Sequence, residues 1–219
     1  HTRSYSVTGV QTCALPISWK DFGSWYYSKI KKKLSLSKKH HKTVDSLIKG
    51  CQNDQEKIDK IYNYVISNMR YVQIYKPLEN ILPKSADEIM ENKFGDCKDF
   101  AVLMVALLRY ANFDAHYAIA LVDKKVKNSD KIVVTVFDHV VVYIATQNKE
   151  YWIDATSDYG SSGTPPYHIT GNFALIIDEK ESKMVFLPEN EENNIEYSFA
   201  ISRSEEHTSE LQSTNTLSY

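Results

Sequence analysis

Cysteine is scarce in this chain: there are three in 219 residues, Cys13, Cys51 and Cys97, and no two lie at short spacing. That spacing excludes a disulfide framework and a CxxC-type zinc site. The histidine pair His40-His41 has no partner ligands at metal spacing, and no calcium-loop pattern is present. The expectation is therefore no metal and no cofactor. Charge of one sign is lacking too, with 26 Lys and Arg against 28 Asp and Glu, so no electrostatic case for nucleic acid follows. Basic residues do cluster in Lys31-Lys32-Lys33 and in Lys38-Lys39-His40-His41-Lys42. They read as a solvated linker between helices, with a polyanion or membrane-surface patch as the alternative. No run is apolar and long enough to span a bilayer, and no internal repeat is visible.

Both ends of the chain look non-native. Val7 to Ile17 resembles the translation of a common sequencing-library adapter, and Arg203 to Ser213 resembles the same adapter read from its complementary strand. Residues 1–17 and 203–219 are therefore read as adapter-like tails, Cys13 among them. Residues 18–188 are expected to form one domain with a real core, and 189–202 the start of a truncated following segment.

The most informative stretch is Asn92-Lys93-Phe94-Gly95-Asp96-Cys97-Lys98-Asp99-Phe100. Behind it, Ala101 to Tyr110 is rich in helix formers and apolar on almost every side, which predicts a buried central helix opened by Cys97. First-turn N–H groups lack intrahelical partners and carry the positive end of the helix dipole. They favour an anion there by roughly 0.3–1 kcal/mol, and at Cys97 the anion would be a thiolate. Gly95 is read as the residue that lets the backbone turn tightly just before the sulfur.

Upstream, Trp19, Phe22, Trp25, Tyr26 and Ile30 recur at helical spacing after Ser18, a predicted N-cap. Val44, Leu47 and Ile48 mark a short helix ending near Gly50, and a longer one begins at Asn53-Asp54. Residues 71–75 alternate as a short strand, and Ser85 to Glu88 has capping-box spacing for a small helix. After Asn112 the period changes to that of strands. These are expected at 116–122, 139–144, 151–154, 173–177 and 184–187, with 132–137 as a further strand or the approach to one. Helices first and an antiparallel sheet afterwards give an α+β fold. Thr146 to Lys149 reads as a hairpin loop. If that loop joins Ala145 to Glu150, paired positions sum to about 295, setting Asp154 opposite Val141 and diagonal to His139, and a two-residue slip would set it directly opposite. In either register the carboxylate and the imidazole share a sheet face. Cys97, His139 and Asp154 then have the order of a nucleophile, a base and a carboxylate that fixes the base's tautomer.

Three segments add a resemblance. Gly95-Asp96-Cys97-Lys98-Asp99, followed by Leu103-Met104 and Leu107-Leu108-Arg109, resembles the GDCKD signature of transglutaminase-like domains. Phe137-Asp138-His139-Val140 is similar to that family's F-N-H-V segment, and Trp152-Ile153-Asp154-Ala155-Thr156 to its W-[IL]-D-[AP]-T segment. Met69-Arg70-Tyr71-Val72 is a looser match to its I-R-Y-V. The resemblance runs from about Trp19 to Leu187. It implies a papain-like α+β core, with the nucleophile Cys97 on a central helix packed on an antiparallel sheet, His139 as base and Asp154 as orienter. Asp138 stands where the family usually has Asn, and its side chain is expected on the opposite strand face from His139.

What the resemblance implies for function is thiol-dependent acyl transfer or hydrolysis on protein or peptide amides through a thioester, whether as transglutaminase, deamidase or cysteine protease. The oxyanion donors are expected to be the Cys97 backbone N–H and a side chain near Gln73 or Tyr71. The alternative is a catalytically silent peptide-binding or cell-envelope scaffold module of the same fold. The most similar branch carries a β-rich domain before this part, in bacterial periplasmic, envelope or secreted proteins, and Trp19 to Trp25 resembles the junction after it.

Overall fold

Helix α1 (Trp19–Ile30) starts where the sequence places its cap: the Ser18 side chain accepts from the Asp21 N–H. Helix α3 (Asp54–Asn68) is likewise capped by Asn53, which accepts from Glu56 N. Helix α2 (Lys38–Ile48) corrects the reading of 38–42 as linker, because these basic residues form its first turns. Val44 is buried while the lysines stay in solvent, so the basic run is the wet side of an amphipathic helix. The structure, a computed structural model, describes residues 18–73, 82–122, 137–147, 149–156, 166–187, 198–203 and 209–214. The strand expected at 132–136 lies outside the described residues, as do positions 74 and 75 of the one expected at 71–75.

Strand β1 is the pair Arg70–Tyr71 alone, and it runs parallel to β2 (Phe94–Gly95). Between them, α4 (Ala86–Asn92) opens on the expected capping box of Ser85 and Glu88 and ends at Lys93 with φ 60°. Helix α5 (Cys97–Tyr110) is buried continuously from Asp99 to Leu108, as its sequence predicts. Strands β3 (Asp114–Ala120), β4 (His139–Ala145), β5 (Glu150–Ile153), β6 (Asn172–Ile177) and β7 (Lys183–Leu187) form one sheet in the order β5-β4-β3-β6-β7. Every pairing in it is antiparallel. Residues 189–219 form a separate compact unit, in which β8 (Ser198–Arg203) pairs antiparallel with β9 (Ser209–Thr214).

The sheet has two apolar faces. Tyr117, Val140, Val142, Ile144, Ile153 and Ile177 join the main core with α5, whose other sides meet Ile58, Ile61 and Val65 of α3 and Ile89 of α4. At roughly 1.5–3 kcal/mol for each large apolar side chain removed from water, this layer dominates the stability of the domain. On the opposite face Ala118, Val141, Trp152, Ile169, Ala174 and Leu187 form a smaller cluster. Ile169 belongs to a 3-10 turn, Tyr167–Ile169, that the sequence reading did not anticipate.

A buried helix must settle the N–H groups of its first turn. In α5 Asp96 accepts from Asp99 N, while Asp99 accepts from Asp96 N at 3.3 Å, a reciprocal capping box. Asp99, 3% exposed, also accepts from Lys84 N at 2.7 Å and Lys84 Nζ at 3.0 Å. Gly95 is needed for a reason other than the tight turn expected: a Cβ there would lie 2.5 Å from Asp99 Cβ. Asp99→Ala is expected to destabilise the domain by roughly 2–4 kcal/mol in urea unfolding, because it strips partners from three donors. Gly95→Ala is expected to cost roughly 1–3 kcal/mol by overpacking the same spot. A change below about 0.5 kcal/mol in either variant would contradict this account of the helix start.

Candidate active site

Cys97 is the first residue of α5, half-buried, and so held at the positive end of the helix. Its neighbours are fixed on both sides: Asp96 by the capping box and an ion pair with Lys98, Asp99 by Lys84. His139 opens β4. The β4–β5 ladder has the register that the four-residue loop implied, with Val142 opposite Ile153 and Tyr143 opposite Trp152. Continued by one position past β5, it sets Asp154 across from Val141 and diagonal to His139, on the sheet face of Val141 and Trp152.

The diagonal closes in a hydrogen bond. His139 Nε2 lies 2.8 Å from Asp154 Oδ2. A carboxylate can only accept, so Nε2 carries the proton, and Nδ1 is the ring nitrogen left for the sulfur of Cys97, the other side-chain partner of His139. The three residues singled out in the sequence are thus joined in one chain of contacts.

The sequence reading missed a fourth residue. His168, in the 3-10 turn, directs its Nε2 to the same Asp154 Oδ2 at 2.9 Å, with its ring edge-on to that of His139 at 5.4 Å between centroids. The other carboxylate oxygen accepts from Thr156 N at 2.8 Å and Thr156 Oγ1 at 2.7 Å. Asp154, 3% exposed, therefore accepts four hydrogen bonds. The Thr156 bonds follow from the Asp-x-Thr spacing, a local turn signal. His168 had no such signal, because its approach depends on Ile169 burying itself against the far sheet face.

Burial alone would raise the Asp154 pKa. The hydrogen bonds from His139 and His168, the charge of His139 and the Thr156 hydroxyl outweigh it and hold the carboxyl below the usual carboxylate range. For His139 burial acts to lower the pKa. Hydrogen bonds to Asp154 and Cys97 and the negative charge of both overcome that and push it up to about 10. Both residues are thus held in the protonation states of an ion pair.

Tyr71, at the end of β1, accepts a hydrogen bond from the Cys97 backbone N–H. Its pKa is pushed up to about 12 by burial and by the charges of Cys97, Asp96 and Asp154, so the phenol keeps its proton. Deeper in, the Tyr26 and Tyr117 hydroxyls share a 3.0 Å bond, and burial, followed by the nearby Cys97 and Asp96, holds Tyr26 up to about 12. Asp138 is exposed and accepts from Val122 N at 3.0 Å, so its carboxylate serves the end of β3. Among the described residues, the group spaced to hold a metal ion is His139, Asp154 and His168, whose ligand atoms all lie within 4.8 Å of one another. No helix among them is long and apolar enough to cross a membrane.

Comparison with solved structures finds similar ones. A candidate protease from Parabacteroides distasonis superposes with a TM-score of 0.62 at 14% identity, covering 79% of this chain and 32% of its own. A candidate cysteine protease from Cytophaga hutchinsonii is similar at 18% identity, with a TM-score of 0.44 and coverage of 72% and 51%. A structure described as a TGase gives 16% identity, a TM-score of 0.38 and coverage of 67% and 40%. The chain thus spans about a third to a half of the length of these proteins. Comparison with curated proteins gave no match. The family model for the transglutaminase-like superfamily matches residues 41–157, a stretch that takes in Cys97, His139 and Asp154. It covers more than half of the 219 residues, and the chain belongs to the transglutaminase-like superfamily.

Proposed function

We propose that this domain is a thiol acyltransferase or hydrolase acting on carboxamide or peptide bonds, with Cys97 as nucleophile, His139 as base and acid, and Asp154 as the group that fixes the imidazole. The observation that carries the reading is the unbroken contact chain from Cys97 through His139 to Asp154, with the carboxylate buried and fully hydrogen-bonded. Asp154 holds the proton of His139 on Nε2, which leaves Nδ1 to take the thiol proton.

The thiolate attacks the carbonyl carbon, and the carbonyl π electrons move onto oxygen. As the tetrahedral adduct collapses, the C–N bond breaks and His139 gives its Nδ1 proton to the leaving amine, so that a thioester remains on Cys97. Water or an amine then attacks the thioester and passes its proton to His139, and the C–S bond breaks to return the Cys97 thiolate. Water yields an acid, by deamidation or proteolysis, and an amine yields a new amide.

Tyr71 fits the oxyanion site. Its hydroxyl rests on the Cys97 N–H, the donor that a substrate carbonyl oxygen at the head of α5 would take over. Once displaced from that N–H, the protonated phenol becomes a second donor beside it. Of the two side chains the sequence reading named for this role, Tyr71 has the observed contact.

Intact-protein mass spectrometry with a glutamine-containing peptide amide tests the nucleophile and base together. The wild type is expected to accumulate a thioester adduct on Cys97, and Cys97→Ala and His139→Ala none, with circular dichroism unchanged. An adduct that still forms in His139→Ala contradicts the assignment. Asp154→Asn, which keeps the volume but loses the charge, is expected to slow acylation by roughly 10²–10⁴-fold. Tyr71→Phe is expected to slow it by roughly 10–100-fold with little change in apparent substrate affinity. An unchanged or faster Tyr71→Phe variant would mean that the hydroxyl only blocks the Cys97 N–H.

A further inference from the structure

Two imidazole nitrogens converging on one carboxylate oxygen form more than an orienting network. We propose that His139, Asp154 and His168 form a binding site for a zinc-class transition-metal ion, and that the metal and the catalytic hydrogen bonds use the same atoms. Two imidazoles and one carboxylate are a donor set suited to zinc, with a fourth position left for water.

The geometry is close to what such an ion needs. The ligand atoms lie 2.8 and 2.9 Å apart along the two hydrogen bonds, and all within 4.8 Å. Atoms about 2.0–2.1 Å from one tetrahedral ion are about 3.3 Å apart, so each imidazole nitrogen needs to move a few tenths of an ångström from Asp154 Oδ2, and the two nitrogens, within 4.8 Å of each other, need to settle at that same spacing. Asp154 Oδ1 is held by Thr156 N and Oγ1, which leaves Oδ2 to ligate alone and keeps it aimed. The side chains of His139 and His168 are 12% and 18% exposed against 2% for Asp154, so solvent reaches the site from the imidazole side. The three ligands stand on separate supports: the start of β4, the end of β5 and the 3-10 turn anchored by Ile169.

The consequence for chemistry rests on the function proposed above. A ligating Nε2 must give its lone pair to the metal, so His139 releases its Nε2 proton and keeps the one on Nδ1. An Nδ1–H facing the sulfur cannot accept the thiol proton. It also cannot be given to a leaving amine without leaving an imidazolate. The bound ion would therefore silence acyl transfer reversibly, and His168, outside the Cys-His-Asp set, would be the residue that makes the chain sensitive to it.

The test is a zinc titration against a chromophoric chelator, using the wild type, Cys97→Ala, His168→Ala and His168→Gln. Glutamine keeps an N–H for Asp154 but is a poor zinc ligand, so it separates metal binding from support of the carboxylate. The wild type and Cys97→Ala are expected to bind one zinc per chain, and both His168 variants at least roughly tenfold more weakly with circular dichroism unchanged. The cobalt-loaded wild type is expected to lack a thiolate-to-cobalt charge-transfer band. Zinc is expected to stop thioester formation in the wild type, with recovery on adding EDTA. In the His168 variants the rate at that zinc concentration is expected to stay near each variant's own zinc-free rate. The absence of stoichiometric binding, its loss in Cys97→Ala, or unchanged affinity in the His168 variants would overturn the site. Zinc bound as expected with thioester formation unaffected would uphold the site and contradict the role given to His139.

Discussion

A helix buried along almost its whole length has to settle the N–H groups of its first turn without filling the space in front of them, and the rest of this domain is arranged around that constraint. In α5 the task falls to Asp96 and Asp99, each accepting from the other's backbone, with Lys84 offsetting the charge of the more buried one. Side chains that cap from within leave the end of the helix open to a ligand. Cys97 is held there because its neighbours on both sides are fixed, and Gly95 admits Asp99 at a distance that any larger residue would forbid.

The second centre is the Asp154 carboxylate. A buried charge is tolerable when all its lone pairs are engaged, and here two imidazoles and one threonine engage them. The same saturation fixes which His139 nitrogen faces the carboxylate, so a condition for burying the charge also orients the imidazole. It relies on the smaller apolar cluster on the far sheet face: Val141 and Trp152 set the strands that bring His139 and Asp154 together, and Ile169 anchors the turn that brings His168. Packing on one face of the sheet thereby supports the groups that meet the helix packed on the other.

Much of this was legible in the sequence because the signals were local. The apolar density of residues 101–108 marked α5, Ser85 and Glu88 marked the cap of α4, and the four-residue loop gave the register that makes Asp154 diagonal to His139. What escaped was set by contacts distant in the chain. The parallel pairing of Tyr71 with Gly95, which brings the phenol to the Cys97 N–H, has no periodicity to betray it. His168 sits in a three-residue turn whose place depends on one buried isoleucine. The lysines of 38–42 read as linker because the apolar residues that mark this helix begin only at Val44, and its charged first turns carry no such mark.

The most direct test of the central claim, that His139 activates Cys97, is the rate of alkylation by iodoacetamide at Cys97 relative to Cys51, resolved by peptide mass spectrometry in the presence of EDTA. Both cysteines are half-buried and free, so Cys51 controls for access. At about pH 6 the wild type is expected to modify Cys97 at least roughly tenfold faster than Cys51, and His139→Ala to remove the difference. Equal rates at the two cysteines in the wild type would contradict the account.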